Sequence, residues 1–407
     1  MLRLILAVAF GATFATAEPV WLPGENGPLF PLGFYEHPDT SEGLDAMAAA
    51  GVNVLRCNNT DQLDDAADHG MKAWVPLPFQ SGPDAIVDKV EAVKDHPALA
   101  VWEGPDEIVW MFTAYSGLEE KVGVSREDWN TQQPNAVAYA REQAATIMPN
   151  INASIELIRE RDTRNLPVWI NEARSSDAAY VRMYQDAVDV IGADDYPVRP
   201  NGTDLHRVAR ATDYWTALSR DEAVWMVLQA FSWDEIDRGD APAWPTFDQA
   251  RYMAWTCITH GATGLLWWGS DYLTNDNFRT AQYAVVRELA KLNDFLVAPE
   301  ASDIRVRTIE PPDHDIVHGV RHIARKVGDE WLIVLVNDDD FAHMGTEVSG
   351  LDRETGKKFH VLYTDETLTV DNHGSFITRL QPYQVKVLAT SRAHQSPNAA
   401  GRDYDGK

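Results

Sequence analysis

The sequence predicts an α/β protein: a (β/α)8 TIM barrel followed by a small antiparallel β-sandwich. Three observations predict it. The 407 residues, 45% of them hydrophobic, exceed one ordinary domain and divide naturally into a barrel of about 250 residues and a smaller unit. From Phe30 to Gly269, short β-rich apolar runs alternate with longer segments of helical periodicity, as βαβ units around a parallel sheet require. Beyond Pro299 strands follow one another with only turns between them.

Taken in order, the chain begins with Arg3 as a positive n-region, an apolar run from Leu4 to Phe14 and the small-residue site Ala15-Thr16-Ala17. This pattern predicts a signal peptide over residues 1–17, cleavage after Ala17, and a secreted or periplasmic protein. The run is too short for a membrane span, and no other segment has the length and apolarity of one.

The barrel is assigned to 18–298. Its eight strands are Phe30–Glu36, Asn53–Asn58, Ala73–Leu77, Leu99–Glu103, Pro167–Glu172, Val190–Tyr196, Val224–Phe231 and Gly264–Gly269. Helices fit between them. Ser41–Ala50 has a Ser at its start and Gly51 at its end, and Asp61–His69 ends likewise at Gly70. Asp84–Lys94 runs to His96-Pro97. Asn135–Arg161 is a longer stretch interrupted at Pro149. Ala178–Ala187, Asp204–Leu218, Phe247–Thr259 and Arg279–Leu296 complete the set. The segment from Ile108 to Pro134 reads as a long functional loop, its Trp110, Phe112, Tyr115 and Trp129 forming a wall toward substrate. The sandwich is assigned to 299–390, with strands from Ile304–Ile309 to Gln384–Leu388. The polar tail, 391–407, reads as disordered.

The formal net charge of -27 disfavours nucleic acid and anionic membranes as partners, because phosphate binding needs clustered Lys and Arg. The two cysteines, Cys57 and Cys257, make no disulfide framework and read as buried thiols. No HExxH, CxxC or Cys/His cluster suggests a metal, and no motif suggests a cofactor. No heptad pattern speaks to oligomeric state.

A TIM barrel keeps its active site at the carboxyl ends of its strands. Those ends carry, in order, Tyr35, Glu36 and His37; Arg56, Asn58 and Asn59; Phe79 and Gln80; Trp102, Asp106 and Glu107; Asn171, Glu172 and Arg174; Asp194, Asp195, Tyr196 and Arg199; Gln229, Trp233, Asp234 and Glu235; and Trp267, Trp268 and Asp271. Carboxylates supply the acid and the nucleophile or base of glycoside hydrolysis, and flat aromatic faces suit sugar rings. Each Trp taken singly is better explained by packing.

The run His96-Pro97-Ala98-Leu99-Ala100-Val101-Trp102-Glu103-Gly104-Pro105-Asp106-Glu107 resembles the fourth-strand motif of clan A glycoside hydrolases. Gly192-Ala193-Asp194-Asp195-Tyr196-Pro197, Trp225–Phe231 and His260–Trp268 resemble later strands of uncharacterised secreted relatives that end in a β-sandwich. The resemblance spans about residues 30–390. It implies a retaining barrel enzyme with Glu107 as general acid/base, Arg56 supporting the nucleophile and Tyr196 lining the site. Two departures stand out. Asp106 replaces the Asn that binds the sugar 2-hydroxyl, and Gln229 stands where the clan has its nucleophilic Glu.

The expectation is therefore a secreted glycoside hydrolase acting on a polysaccharide or oligosaccharide, with Glu107 as acid/base and Asp195, then Glu235, as the second catalytic carboxylate. Asp194 and Glu172 remain candidates for that role. Glu36, Arg56, Asn58, Trp102, Asp106, Glu172, Arg174, Tyr196, Gln229, Trp233, Trp267 and Trp268 form the expected binding set. Asp194, Asp195 and Glu172 are equally well read as ion-pair partners of Arg56 or Arg174. Arg56, Arg174 and Arg199, should they converge, would suit a carboxylated or sulfated substrate. Two alternatives stand beside this reading. One is a carbohydrate-binding barrel without catalysis, which Gln229 favours. The other is a polysaccharide lyase with Tyr196 or His37 as base.

Overall fold

The computed structural model describes residues 19–236, 238, 241–310 and 318–406; the expected signal peptide and its cleavage site lie outside them. Eight parallel strands close into a barrel: β1 (Leu32–Phe34), β2 (Val54–Arg56), β3 (Lys72–Pro76), β4 (Leu99–Glu103), β5 (Val168–Ala173), β6 (Val190–Asp195), β7 (Ala223–Gln229) and β8 (Gly264–Trp268). All eight expected runs are strands, and β8 pairs with β1 to complete the ring.

The barrel interior is packed. Trp74, Trp169 and Trp225 are all fully buried there with Val54, Val101, Val190, Val227 and Leu266. Trp225 fits because its register partners on both sides are glycines, Gly192 and Gly264. A Cβ on Gly192 would fall 1.7 Å from the Trp225 carbonyl oxygen, and one on Gly264 would fall 2.5 Å from its indole. Large residues beside small ones are how a narrow barrel fills its core. A short hairpin, Leu22–Gly24 with Gly27–Leu29, closes the amino-terminal end, where Leu22 and Leu29 join this inner cluster.

The outer layer is helical. Helix Ser41–Ala50 is capped by Thr40, whose side chain accepts from the Gly43 amide, and ends at Gly51 in the left-handed conformation. Helix Pro134–Arg161 runs unbroken through Pro149, contrary to the expected interruption. Ala140, Ala144, Met148, Ile151, Ile155 and Ile158 anchor it in the core on both sides of the proline, and that packing offsets the one lost backbone bond. The segment expected as a loop holds three short helices, Ile108–Thr113, Leu118–Val122 and Arg126–Asn130. Phe112 faces the core there, edge-on to Tyr180. Among the described residues no helix is long and apolar enough to cross a membrane.

The carboxyl-terminal unit comprises a three-stranded and a five-stranded antiparallel sheet. An interior strand of the larger sheet, Glu330–Asn337, is apolar on both faces for a reason. Ile333 and Leu335 point into the sandwich core, while Leu332, Val334 and Val336 join the main cluster on the barrel side. The tail expected to be disordered is placed through residue 406 and packs back on the barrel. Arg402 pairs with buried Glu288 at 2.8 Å, and the Tyr404 hydroxyl accepts from Asn275 at 3.0 Å. Polar composition concealed these two anchors. Cys57 and Cys257 are both free and buried.

Candidate active site at the barrel mouth

Side chains alternate along a strand, so one parity faces the barrel lumen and the other the helices. Val101 lies in the inner cluster; Glu103 therefore points inward and Trp102 outward, where its indole donates to Asp162 at 2.9 Å. Val190 sets the parity of β6, so Asp194 faces the lumen and Asp195 the helices. Leu266 sets that of β8. Trp268 is at the mouth, while Trp267, 1% exposed, stacks on Phe34 outside the barrel. Trp102 and Trp267 are thus packing residues, contrary to expectation.

Asp195, the first-ranked second carboxylate, is 3% exposed. It accepts from Arg207 Nε at 3.0 Å and lies 2.6 Å from Arg207 Nη2 and 3.6 Å from Arg174. It is an ion-pair residue behind the sheet. Glu235 sits at the rim, accepting from Thr274 at 2.9 Å. Glu172 faces outward and is fully buried. It accepts from the Val109 amide, from Ser176 at 2.7 Å and from Tyr184 at 3.1 Å, and so ties β5 to the helix that begins after Glu107. Burial pushes its carboxyl up to about 8. Glu36 is likewise committed, accepting from the Gly269 and Ser270 amides at 2.8 and 2.9 Å. Asn58 is exposed, and its backbone amide donates to Gln62.

What the fold does bring together is a carboxyl cluster around Glu107. Glu107 adopts φ 50, ψ 35, a left-handed conformation rare and strained outside glycine. Its amide donates to the Asn171 carbonyl at 2.9 Å, which fixes this turn above β5. Its side chain hydrogen-bonds that of Asp194. Burial, then the neighbouring Asp106 charge, push Glu107 up to about 7. Asp194 is raised well above the usual carboxylate range, by burial first and Glu107 second, and it bonds Tyr196. Two acids this close hold a proton between them at a pH where isolated carboxyls have lost it. Asp106 is open to solvent and accepts from Asn171 Nδ2 at 2.8 Å.

One cation answers these acids from the lumen. Arg56 donates to Glu103 at 2.7 Å and lies over the Tyr35 ring. Burial raises the Glu103 carboxyl to about 7 even so. An aromatic wall stands opposite: Tyr196 stacks on Trp268 with centroids 5.6 Å apart, and Phe231 and Trp233 pack edge-on to Tyr196. Arg199 lies 3.8 Å over Trp233. Gln229 is fully buried. Its amide bonds the Val198 amide and carbonyl and the Phe231 carbonyl, each at 3.0 Å, so it braces the loops after β6 and β7.

Sequence reasoning missed Glu103 as a site residue and ranked Asp195 above Asp194. Parity along β4 and β6, keyed to Val101 and Val190, is the signal that separates each pair. A pocket of about 550 Å³ lies between the loop that follows β5 and the helix His206–Leu218, lined by Trp129, Arg174, Arg207, Arg210 and Tyr214 among others.

The fold is shared with solved structures of glycoside hydrolases. The structure resembles one described simply as a glycoside hydrolase (TM-score 0.54, 14% identity, covering 91% of this chain and 94% of that one). It also resembles a glycoside hydrolase family 5 protein from Bacteroides vulgatus (TM-score 0.54, 14% identity, 91% of each chain). A third likeness is to a family 51 α-L-arabinofuranosidase from Bifidobacterium longum (TM-score 0.53, 13% identity, 92% and 97%). At these identities the likeness is one of fold. No protein-family model matches the sequence, and no curated protein matches it.

Proposed function

We propose that this protein is an exported glycoside hydrolase in which Glu107 protonates the departing glycosidic oxygen. The observation that carries the proposal is the placement of Glu107 in a desolvated turn beside Asp106, which raises its carboxyl to about 7 although its hydrogen bond with Asp194 works the other way. A general acid needs a pKa near its working pH. Asp106, solvent-facing and oriented by Asn171, is the carboxylate available to stabilise positive charge developing on the sugar. Trp268 and Tyr196 offer ring faces to the substrate. Asp195 and Glu235 take no part, because Asp195 is held in its ion pair behind the sheet and Glu235 is tied to Thr274 at the rim.

The test is release of new reducing ends from neutral, uronic and sulfated glycans. Wild type should release them, and Glu107→Gln and Asp106→Asn should not. Release undiminished in Glu107→Gln would end this reading. One observation favours a second reading, a carbohydrate-binding barrel without turnover: Gln229 is buried and saturated, so β7 offers no carboxylate. Binding by wild type with no release from any glycan would select it. The lyase reading loses its bases, since Tyr196 is bonded to Asp194 and the His37 side chain is 5% exposed.

A further inference from the structure

The chain carries a net charge of -27, yet four arginines gather on one side of the barrel mouth. Arg174 follows β5, Arg199 follows β6, and Arg207 and Arg210 lie on the helix His206–Leu218. Three of them, Arg174, Arg207 and Arg210, line the pocket of about 550 Å³. Arg199 is near enough to Arg207 and Arg174 to feel their charge, which helps to lower its own pKa after burial. Sequence reasoning grouped Arg56 with Arg174 and Arg199; the structure leaves Arg56 inside the lumen on Glu103 and supplies Arg207 instead.

Carboxylates in this region do not use up the guanidinium donors. Asp195 lies beneath the cluster, 3% exposed, and is satisfied by Arg207. Arg174 stands 3.6 Å from it with 41% of its side chain open, outside hydrogen-bond reach. Asp204 pairs with Arg210 at 2.6 Å. Asp177, also in the lining, caps its own helix by accepting from the Ala179 amide. Arg199 has its guanidinium carbon 3.8 Å from the Trp233 ring centroid. Trp129 and Tyr214 give the pocket two ring faces. The pocket is tied to the carboxyl pair through one dipeptide: Arg174 and Arg207 reach Asp195, and the adjoining Asp194 faces Glu107.

We infer that this pocket binds an anionic group, a carboxylate or sulfate carried on a sugar unit next to the one held at Glu107, so that the substrate is an acidic polysaccharide. Guanidinium pairs recognise planar carboxylates and tetrahedral sulfates by paired charge-assisted bonds. The inference rests on the proposed hydrolase reading for its catalytic half and on the arginine pocket for its binding half.

The experiment is calorimetric binding to the Glu107→Gln protein of three oligosaccharide sets matched in length: neutral, uronic and sulfated. It is repeated in Arg174→Ala and Arg199→Ala backgrounds, with melting temperature as the check on folding. One or both acidic sets should bind more tightly than the neutral set. Arg174→Ala should weaken that binding by roughly tenfold, the worth of one charge-assisted pair, and leave neutral binding unchanged. Tightness toward the uronic or the sulfated set tells carboxylate from sulfate. Equal binding of all three sets, no binding of any, or acidic binding indifferent to both arginine variants would overturn the inference. Neutral glycan cleaved equally by wild type and Arg174→Ala would uphold the hydrolase while sinking the acidic substrate. Arginine-dependent binding without cleavage would do the reverse.

Discussion

Two acidic clusters in this molecule behave in opposite ways. At the barrel mouth, Glu103, Asp106, Glu107 and Asp194 are only partly compensated, by Arg56 at Glu103 and Asp106 and by Arg238 at Glu107, and all four carboxyls are raised. Between the barrel and the sandwich, Glu288 is as fully buried as Glu103. Burial pushes it up as well, but Arg251 and Arg402 outweigh that, and its pKa falls below the ordinary value. Trp255 adds a bond at 2.9 Å. The difference is the count of cations. Where they suffice, a buried carboxylate fastens two units together; where they do not, the protein retains a proton it can give away.

The comparison breaks first at Glu107. Glu107→Gln should reduce turnover by about 10²–10⁴-fold, the usual worth of general acid catalysis, with the melting temperature unchanged or raised. A fall in stability with activity intact would make Glu107 a structural acid like Glu288. The converse variant, Glu288→Gln, strands two buried guanidiniums and should cost about 3–5 kcal/mol. Urea unfolding would measure it. A change below about 1 kcal/mol would mean that the interface does not depend on this charge.

Asp195 sharpens the same contrast within one dipeptide. Asp194 and Asp195 are neighbours in sequence, but one shares a proton with Glu107 and the other neutralises Arg207. Asp195→Asn should therefore act on stability, by roughly 1–3 kcal/mol, and Asp194→Asn on the pH profile of activity. An Asp195→Asn enzyme with normal stability and no turnover would reverse the assignment.

This dipeptide also marks how far the sequence was legible. Strand runs such as Leu99–Glu103 and Gly264–Gly269 announced themselves by apolar β-rich composition between helical segments. The lumen-facing parity of each strand was not announced, because runs buried on both faces show no polar alternation. A shift of one residue exchanges Asp194 for Asp195, Glu103 for Trp102 and Trp268 for Trp267. Contacts made across the fold were still less legible. Nothing local marks Arg207 as the partner of Asp195, or Arg402 in a polar tail as the partner of Glu288. Gln229 was visible as a departure, but its three bonds to the loops after β6 and β7 exist only once those loops are folded.

The last expected effect is a change of slope in stability against pH, and it runs in opposite directions for buried carboxyls that are raised and for Glu288, which is lowered. Glu172, raised to about 8, holds a proton in the folded chain that the unfolded chain has released above its ordinary carboxylate range. Its contribution is complete at low pH and is lost as pH rises from about 4.5 toward 8, at no more than about 1.4 kcal/mol per pH unit. Glu103 and Glu107, raised to about 7, add to the same alkaline decline. Glu288 works the other way: its stabilisation is present above the ordinary carboxylate range and is lost as pH falls through its lowered pKa. Glu172→Gln keeps an acceptor for the Val109 amide but has no proton to lose, so its stability should be flatter than wild type between pH 5 and pH 8. Unfolding curves at three pH values would show it. An unaltered slope would mean that Glu172 is already ionised at neutrality, held by its bonds to Val109, Ser176 and Tyr184, and the alkaline decline would then come from the barrel-mouth acids alone.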